Sequence, residues 1–345
     1  MRRCRLRAAY RQDSSFSVLR RPTPFSLLGE TGHELAERVE RGEFIATSPT
    51  AMRESLEVAW SNLVKAKETR LIEAWPLAPP PPSPRWPGYQ RTRVRLLRSL
   101  TTLASRLQQP RPTAQRTGVH VEVEVQLSPE GLPLRGRADR VEVLGNEVHL
   151  IDLKTGWDYP DEIRDDDRRQ LLLYASLWHR VRGSWPNLAS IQTADGRRLS
   201  FPVQRDDAES TVAEALTSLE AYNHAANDDT PPSLLASPSA DTCRHCPYRG
   251  VCAPFFQTLG PTWGWWPKSL LGTVTRSDGN AARGAFEVAI SASNLDLVAG
   301  QEARLVGTPP SLTPPTGSEI TVIDASPTPN PRELTVSWST QLLGP

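Results

Sequence analysis

Residues 119 to 154 restrict the fold of this chain more than any other stretch, because their pattern admits little except a strand hairpin. Val119, Val121, Val123 and Val125 alternate with His120, Glu122, Glu124 and Gln126, a period of two that buries one face of a β-strand. Two more strand-like runs, 134–144 and 147–154, are separated by Gly145-Asn146. Glycine in first place suits the two-residue turn that joins antiparallel strands. With that turn, Leu144 faces Glu147 and, counting outward, Asp139 faces Asp152. Side chains so paired share one face with Cβ atoms about 5 Å apart, and like charges there destabilise a sheet unless something neutralises them. A divalent cation does so, and carboxylate oxygens select the hard ions Mg²⁺ or Mn²⁺. Gly136 leaves open a bulge that would shift this register by one.

Lys154 lies two residues beyond Asp152 and therefore on the same face. An ammonium beside a carboxylate pair and a metal can orient a water nucleophile or stabilise a phosphorane-like charge. The chain holds only four lysines, so lysine rather than arginine at this position is informative. Taken alone, these three residues also fit a solvated Lys–Asp ion pair on a hairpin face.

Around the hairpin, 34–40, 52–72 and 91–107 carry good helix formers with apolar residues three and four apart, and 163–181 and 207–227 read as further helices. Short strands are expected at 191–193 and 199–203. Pro79-Pro80-Pro81-Pro82-Ser83-Pro84 reads as a stiff extended linker rather than packed structure. Helices, a strand meander and a helix crossing to a further strand make an α/β or α+β core, α/β as the expectation. After Cys252 the character changes, with β-type runs at 270–275, 285–291, 302–306, 319–323 and 333–338 between Gly- and Pro-rich turns. They suggest a small all-β barrel or sandwich, OB-like as the first expectation. Trp263-Gly264-Trp265-Trp266, just before it, offers either stacking surfaces for bases or packing of the linker onto the core.

No apolar run approaches the ~18 residues of a membrane span and no signal-peptide core follows Met1, so no membrane is expected and the default expectation is a cytoplasmic location. The net charge of +1 conceals an asymmetry: residues 1–120 hold 21 Lys and Arg against 10 Asp and Glu, and residues 257–345 hold 5 against 7. A basic first third suits a phosphate-rich partner, although arginine standing in for lysine as the surface cation gives the same count. The slight acidity of the last segment argues against a dominant phosphate-binding role there. Four cysteines in a cytoplasmic chain argue against a disulfide framework. Cys243, Cys246 and Cys252 form a C-x₂-C-x₅-C array with Cys4 far upstream, a number of thiolates that fits a [4Fe–4S] cluster or a zinc site. Zinc could add His245, although C-R-H-C crowds three ligands into one turn.

Leu134-Arg135-Gly136-Arg137-Ala138-Asp139-Arg140-Val141, followed by Ile151-Asp152-Leu153-Lys154-Thr155-Gly156, resembles the G-x-x-D … D-x-K-T-G signature of RecB-like PD-(D/E)XK nucleases. Gln170-Leu171-Leu172-Leu173-Tyr174 resembles their Q-x-x-x-Y helix, and Gly29-Glu30-Thr31-Gly32-His33 their G-x-x-x-H helix. The resemblance implies a restriction-endonuclease-like core and metal-dependent hydrolysis of DNA phosphodiesters by an activated water, in repair, recombination or defence. Asp139 and Asp152 would ligate Mg²⁺ or Mn²⁺, with His33 and the Leu153 carbonyl completing the protein's share. Lys154 would be the catalytic lysine, and Gln170 and Tyr174 would position the DNA strand or the motif residues. Family members often carry a glutamate in the preceding strand, a place open to Glu122 or Glu124.

The cysteines resemble those of AddB-type and CRISPR-adaptation nucleases, which hold a [4Fe–4S] cluster with one cysteine before the core and three after it. Cys4-Arg5-Leu6-Arg7-Ala8-Ala9-Tyr10 is similar to their C-P-x-x-x-x-Y segment, with Arg5 in place of proline. Cys4, Cys243, Cys246 and Cys252 would then bind a structural iron–sulfur cluster, with zinc the lesser expectation. The organisation so implied is a nuclease domain over 1–256, with a helical region 1–110, catalytic core 118–205 and cysteines at 243–252, followed by a small β domain over 257–345. Its partner would be DNA, single-stranded or with ends. No Walker A loop is present, so unwinding would come from a helicase partner. A non-cutting nucleic-acid-binding subunit of a helicase–nuclease or defence complex is the alternative, and a zinc-stapled adaptor a third.

Overall fold

The computed structural model describes residues 4–108, 119–156, 159–227, 230–264, 267–278 and 284–344. Helices α1 (Arg5–Gln12), α2 (Pro24–Glu40), α3 (Pro49–Ala74) and α4 (Tyr89–Gln108) precede strands β1 (Val119–Leu127), β2 (Gly136–Leu144) and β3 (Glu147–Lys154). Then come α5 (Asp165–Arg182), β4 (Leu188–Thr193), β5 (Arg198–Pro202), α6 (Arg205–Asn227) and the short helices α7 (Pro232–Leu235), α8 (Ala240–Cys243) and α9 (Ala253–Thr258). The chain closes with β6 (Lys268–Asp278), β7 (Gly284–Ser293), β8 (Glu302–Thr308), β9 (Glu319–Pro327), β10 (Glu333–Thr335) and β11 (Gln341–Leu343). Two compact units result: residues 23–69 with 81–217, and residues 1–22 and 70–80 with 218–345.

The first unit is built on a five-stranded sheet in sequence order, antiparallel throughout except for the parallel pair β3–β4 that α5 connects. α5 opens on Asp165, Asp166 and Asp167 and ends on His179, Arg180 and Arg182, charges that complement the helix dipole at both ends. Its Leu171, Leu172, Ala175 and Trp178 bury against Val125, Leu127, Val141 and Leu150 of the sheet. Burial of each such leucine stabilises the unit by about 1.5–3 kcal/mol. α2 starts with a capping box between Thr23 and Ser26 and with Pro24 in the first turn. Leu27, Leu28, Leu35 and Val39 on α2 and Leu96, Leu97 and Leu100 on α4 are buried, as their three- and four-residue spacing requires.

One sequence expectation is corrected here. The proline run is packed rather than a stiff extended linker: Ser83 and Trp86 are buried three residues apart, the period of the 3-10 turn that spans them. The backbone N–H and the hydroxyl of Ser83 both donate to the Glu68 carboxylate, at 3.1 and 3.0 Å, and Trp86 Nε1 donates to the Pro81 carbonyl at 2.9 Å.

The hairpin register is the one that a two-residue turn dictates. Gly145 has φ 59°, and pairing runs from Leu144↔Glu147 to Arg140↔Ile151 with no bulge. On the other side β1 pairs with β2 from Val119↔Leu144 to Val123↔Arg140, then resumes in the same register at Val125↔Ala138. Asp139 is thus skipped by the β1 ladder, and the β3 ladder ends one residue short of it, so the sheet opens there.

In the second unit β6, β7 and β8 form a meander, β10 pairs parallel with β8 and antiparallel with β9, and β9 returns to β6. The ring closes as a five-stranded barrel, with β11 added outside β9. Closure removes sheet edges, and Leu270, Phe286, Val288, Leu305 and Val322 fill the interior. The expected fifth strand, 333–338, pairs only over Glu333–Thr335. Among the described residues no helix is long and apolar enough to cross a membrane.

Candidate metal centre

Where the ladders lapse, side chains take their place. Asp139 Oδ2 accepts a hydrogen bond from the Leu153 backbone N–H at 2.7 Å, so a carboxylate stands where a strand carbonyl would otherwise be. Opposite on β1, Glu124 has φ 53°, the left-handed region that costs a non-glycine residue energy and that clusters at functional sites. From α2, His33 Nδ1 comes within 3.8 Å of Asp139 Oδ2. One ligand atom from each of His33, Glu124 and Asp139 lies within 4.8 Å of the other two.

Asp152 stands opposite Asp139 when the register is counted on from Arg140↔Ile151, and it is only 4% exposed. Its carboxylate is gripped from the α5 side. Lys154 Nζ is 2.9 Å from Oδ2, and Gln170 Nε2 donates to Oδ1 at 2.9 Å and to the Tyr174 hydroxyl at 2.9 Å. Asp139, Asp152, Lys154, Gln170, Tyr174, His33 and Leu153 therefore share one neighbourhood, in which Asp152 faces the lysine and the other acid faces the histidine.

Two close approaches explain how the helices reach this point. A Cβ on Gly32 would meet Thr155 Cγ2 at 2.7 Å, and Thr155 Oγ1 donates to the Gly29 carbonyl at 3.3 Å. That contact seats α2 on the residue following Lys154 and so delivers His33, one position on, to the end of β3. A Cβ on Gly136 would meet the Tyr174 ring at 2.6 Å, so β2 and α5 can close only over a glycine.

The electrostatics fit a hard cation. Burial, and then the charge of Asp152, push the Asp139 carboxyl from 3.8 up to about 6. Burial also raises Glu124, against the opposing charge of Arg137, and lowers His33 despite nearby acids. Two carboxylates held at a cost beside an imidazole form a donor set that a divalent cation can occupy. Burial works against the charge on Lys154, but Asp152 and Asp167 outweigh it and the net shift is upward.

Asp167 is not among the sequence-expected site residues. It lies 3.0 Å from Lys154 Nζ through Oδ1 and accepts from the Tyr159 hydroxyl at 2.8 Å through Oδ2. Its one signal is a position three residues before Gln170, one helical turn away on the same face, but an acid in a first turn reads equally as dipole compensation. The choice between Glu122 and Glu124 also acquires a geometry: Glu122 pairs with Arg182 at 2.6 Å, whereas Glu124 pairs with Arg137 at 2.7 Å and also lies within reach of His33 and Asp139. A cleft of about 500 Å³, lined by Phe25, His33, Lys154, Tyr159, Arg164 and Asp167, opens onto the lysine side.

In the second unit Cys4, Cys243, Cys246 and Cys252 line one small cavity with Tyr10 and Tyr248, and His245 does not line it. None of the four is in a disulfide. No three of their sulfurs lie within 4.8 Å of one another, so they do not form a preassembled coordination sphere. Burial pushes the Cys252 thiol up to about 11. Trp263 packs edge-on against Phe255, with ring centres 5.8 Å apart, while Trp265 and Trp266 lie outside the described residues.

Acids and an imidazole gathered in a sheet opening, with a half-buried lysine beside them and helices on the flanking strands, form a candidate divalent-cation centre in an α/β core. The chain belongs to the PD-(D/E)XK nuclease superfamily, whose family model matches residues 1–253. Membership implies a nucleic-acid substrate and a metal-dependent phosphodiesterase. Among solved structures, SSO0001 is 17% identical over 66% of this chain and 95% of its own, with a TM-score of 0.29. VC1899 from Vibrio cholerae is 15% identical over 55% of this chain and 51% of its own, with a TM-score of 0.20. Likeness at these scores bears on neither fold nor function. No match among curated proteins was found.

Proposed function

We propose that this chain is a RecB-like, Mg²⁺- or Mn²⁺-dependent deoxyribonuclease. The observation that carries the reading is the convergence of His33, Glu124 and Asp139 within 4.8 Å, where Asp152 and Lys154 complete the opposite wall. His33, Asp139, Asp152 and the Leu153 carbonyl would hold the cation, with Glu124 as a further ligand. In an extended strand the N–H and C=O of one residue point the same way; the Leu153 N–H points to Asp139, which turns its carbonyl to that side as well. A bound cation supplies Lewis acidity toward a phosphoryl oxygen and a more acidic water. Lys154 neutralises charge that builds on the phosphoryl oxygens as the water oxygen bonds to phosphorus and the leaving P–O bond breaks. Gln170 fixes Asp152 and Lys154 together, and Tyr174 fixes Gln170.

End-labelled single- and double-stranded DNA incubated with Mn²⁺ or Mg²⁺ tests this directly, with Asp152→Ala and Lys154→Ala beside the wild type. Cleavage by the wild type that both changes abolish is the expected result. Cleavage untouched by either removes the assignment, and a wild type that binds but never cuts favours the non-cutting subunit.

Residues 1–256 are proposed as the nuclease domain and 257–345 as an OB-like domain. Support for the latter is the ring order first, second, third, fifth, fourth, with the third and fifth strands parallel. A [4Fe–4S] cluster on Cys4, Cys243, Cys246 and Cys252 rests on the family resemblance and on the cavity that the four share. No three of their sulfurs approach as closely as the ~3.8 Å edge of a tetrahedral zinc site with ~2.3 Å bonds. Protein purified without oxygen should be brown and carry iron and acid-labile sulfide; a colourless protein carrying zinc sinks the cluster.

A further inference from the structure

α4 is an unusual helix for a surface built only for stability. It carries five arginines, at 91, 93, 95, 98 and 106, and no acidic residue along its length. Like charges spaced three and four apart on a helix repel. Arg93 finds Glu57 at 3.4 Å. Arg98 and Arg106, both exposed, have no ion-pair partner among the described residues.

Arg95, Arg98 and Arg106 line a groove of about 710 Å³ together with Asp195 and Gly196 of the β4–β5 turn and with Arg140 and Arg198. Five guanidinium groups line it against one carboxylate, Asp195, which is already engaged by Arg197 at 3.2 Å. Arg140 and Arg198 are anchored by Glu142, and Arg140 also by Glu40, so they hold fixed positions. From Arg95 to Arg106 the helix advances about 16 Å, the length of several nucleotides. Ser99, Leu103, Arg140 and Gln192 line both this groove and the pocket that holds His33, Glu124 and Asp139. These shared walls place the groove beside the candidate metal centre.

We infer that the groove between α4 and the β4–β5 turn binds the sugar–phosphate backbone of the nucleic acid whose phosphodiester is presented to the metal centre. This rests on the nuclease reading and adds to it the path of the strand. Guanidinium groups bind phosphate oxygens in pairs of parallel hydrogen bonds, and a row of them on one rigid helix sets register without reading sequence.

The test measures binding of a fluorescent DNA single strand, and of a hairpin duplex, in EDTA, where no cleavage occurs. Each phosphate contact with a single strand contributes about 0.7 to the slope of log affinity against log salt. The double variant Arg98→Gln/Arg106→Gln should lower that slope by about 1.4 and weaken binding about 25-fold at ~0.1 M salt. Arg98→Lys/Arg106→Lys should keep the slope. Arg180→Gln, an exposed arginine on α5 outside the groove, should change neither. A slope that the Gln variant leaves unmoved, or that Arg180→Gln moves equally, overturns the inference. Because binding is read without metal, a protein that binds through α4 yet cuts nothing would retain the groove and remove the hydrolytic reading. One that cuts DNA with an unchanged slope in the Gln variant would do the reverse.

Discussion

Asp139→Asn separates a residue that serves the fold from one that the fold tolerates for a cation. The carboxyl of Asp139 is pushed from 3.8 to about 6 by burial and by Asp152, and its side chain is 18% exposed. Each pKa unit corresponds to about 1.4 kcal/mol, so ionised Asp139 costs the cation-free fold about 3 kcal/mol. The folded state prefers the protonated form. Stability on this account is full below about pH 4, declines as pH rises through about 6, and is lost above that. The amide of the variant would keep an oxygen for the Leu153 N–H but carry no charge. The hydrogen bond from Leu153 is already within that shift, so Asp139→Asn should stabilise the metal-free protein by about 3 kcal/mol at neutral pH, with the gain vanishing near pH 4. Mn²⁺ should reverse the order, because ligand that binds only the folded state stabilises the wild type by mass action. Urea unfolding in EDTA and in Mn²⁺, followed by circular dichroism across this pH range, measures all three. A variant less stable than wild type in EDTA at neutral pH, or a difference independent of pH, would refute the reasoning.

Other outcomes follow from the same geometry. Asp167→Asn leaves Asp152 as the nearest remaining anion for Lys154, so Mn²⁺ affinity measured by electron paramagnetic resonance should fall about tenfold, a change of about 1.4 kcal/mol; adding Lys154→Met should restore it, and additive losses would count against the competition. Gly136→Ala drives a methyl into the Tyr174 ring at 2.6 Å, an overpacking worth about 1–3 kcal/mol, and Tyr174→Ala in the same chain should relieve most of it in thermal denaturation. Glu124→Gly removes a left-handed strain of about 1–2 kcal/mol at an entropic cost of about 0.5–1 kcal/mol. In EDTA it should be slightly stabilising while weakening Mn²⁺ binding, whereas Glu124→Gln should weaken binding without the stability gain.

The hairpin is legible in the amino-acid pattern because a two-residue turn leaves one register, and Asp139 opposite Asp152 follows by counting. The helices are legible for the same kind of reason: Leu96, Leu97 and Leu100 are buried where their spacing puts them. What pattern cannot show is where a ladder lapses. Glu122 and Glu124 are equivalent under a period of two, and only the positive φ at Glu124 and the skipped pair at Asp139 tell them apart. Long-range packing is equally hidden. The proline run reads as an extended linker because no local signal announces that Glu68, 15 residues earlier, will receive Ser83. Gly32 and Thr155 are single letters in separate motifs until a missing Cβ lets one helix settle on one strand end. Spacing alone brings the cysteines into one cavity on paper, yet spacing says nothing about how far apart their sulfurs stand.

Three separate penalties meet at Asp139, and their coincidence is hard to explain by stability. One pair of the β1 ladder is given up where the β3 ladder stops, a glutamate is held at φ 53°, and a carboxyl is raised to about 6 beside a second acid. Any one of these occurs in sheets that do nothing further, at a bulge or an edge. Together they leave an opening through which side chains from β1, β2 and α2 reach a common point, while Asp152 and Lys154 approach from the α5 side. Ladder bonds restored at Asp139 would close that opening and carry its carboxylate away from His33. The lapsed pairing and the strained backbone accompany the convergence of these donors, and a divalent cation bound there would relieve the charge they share.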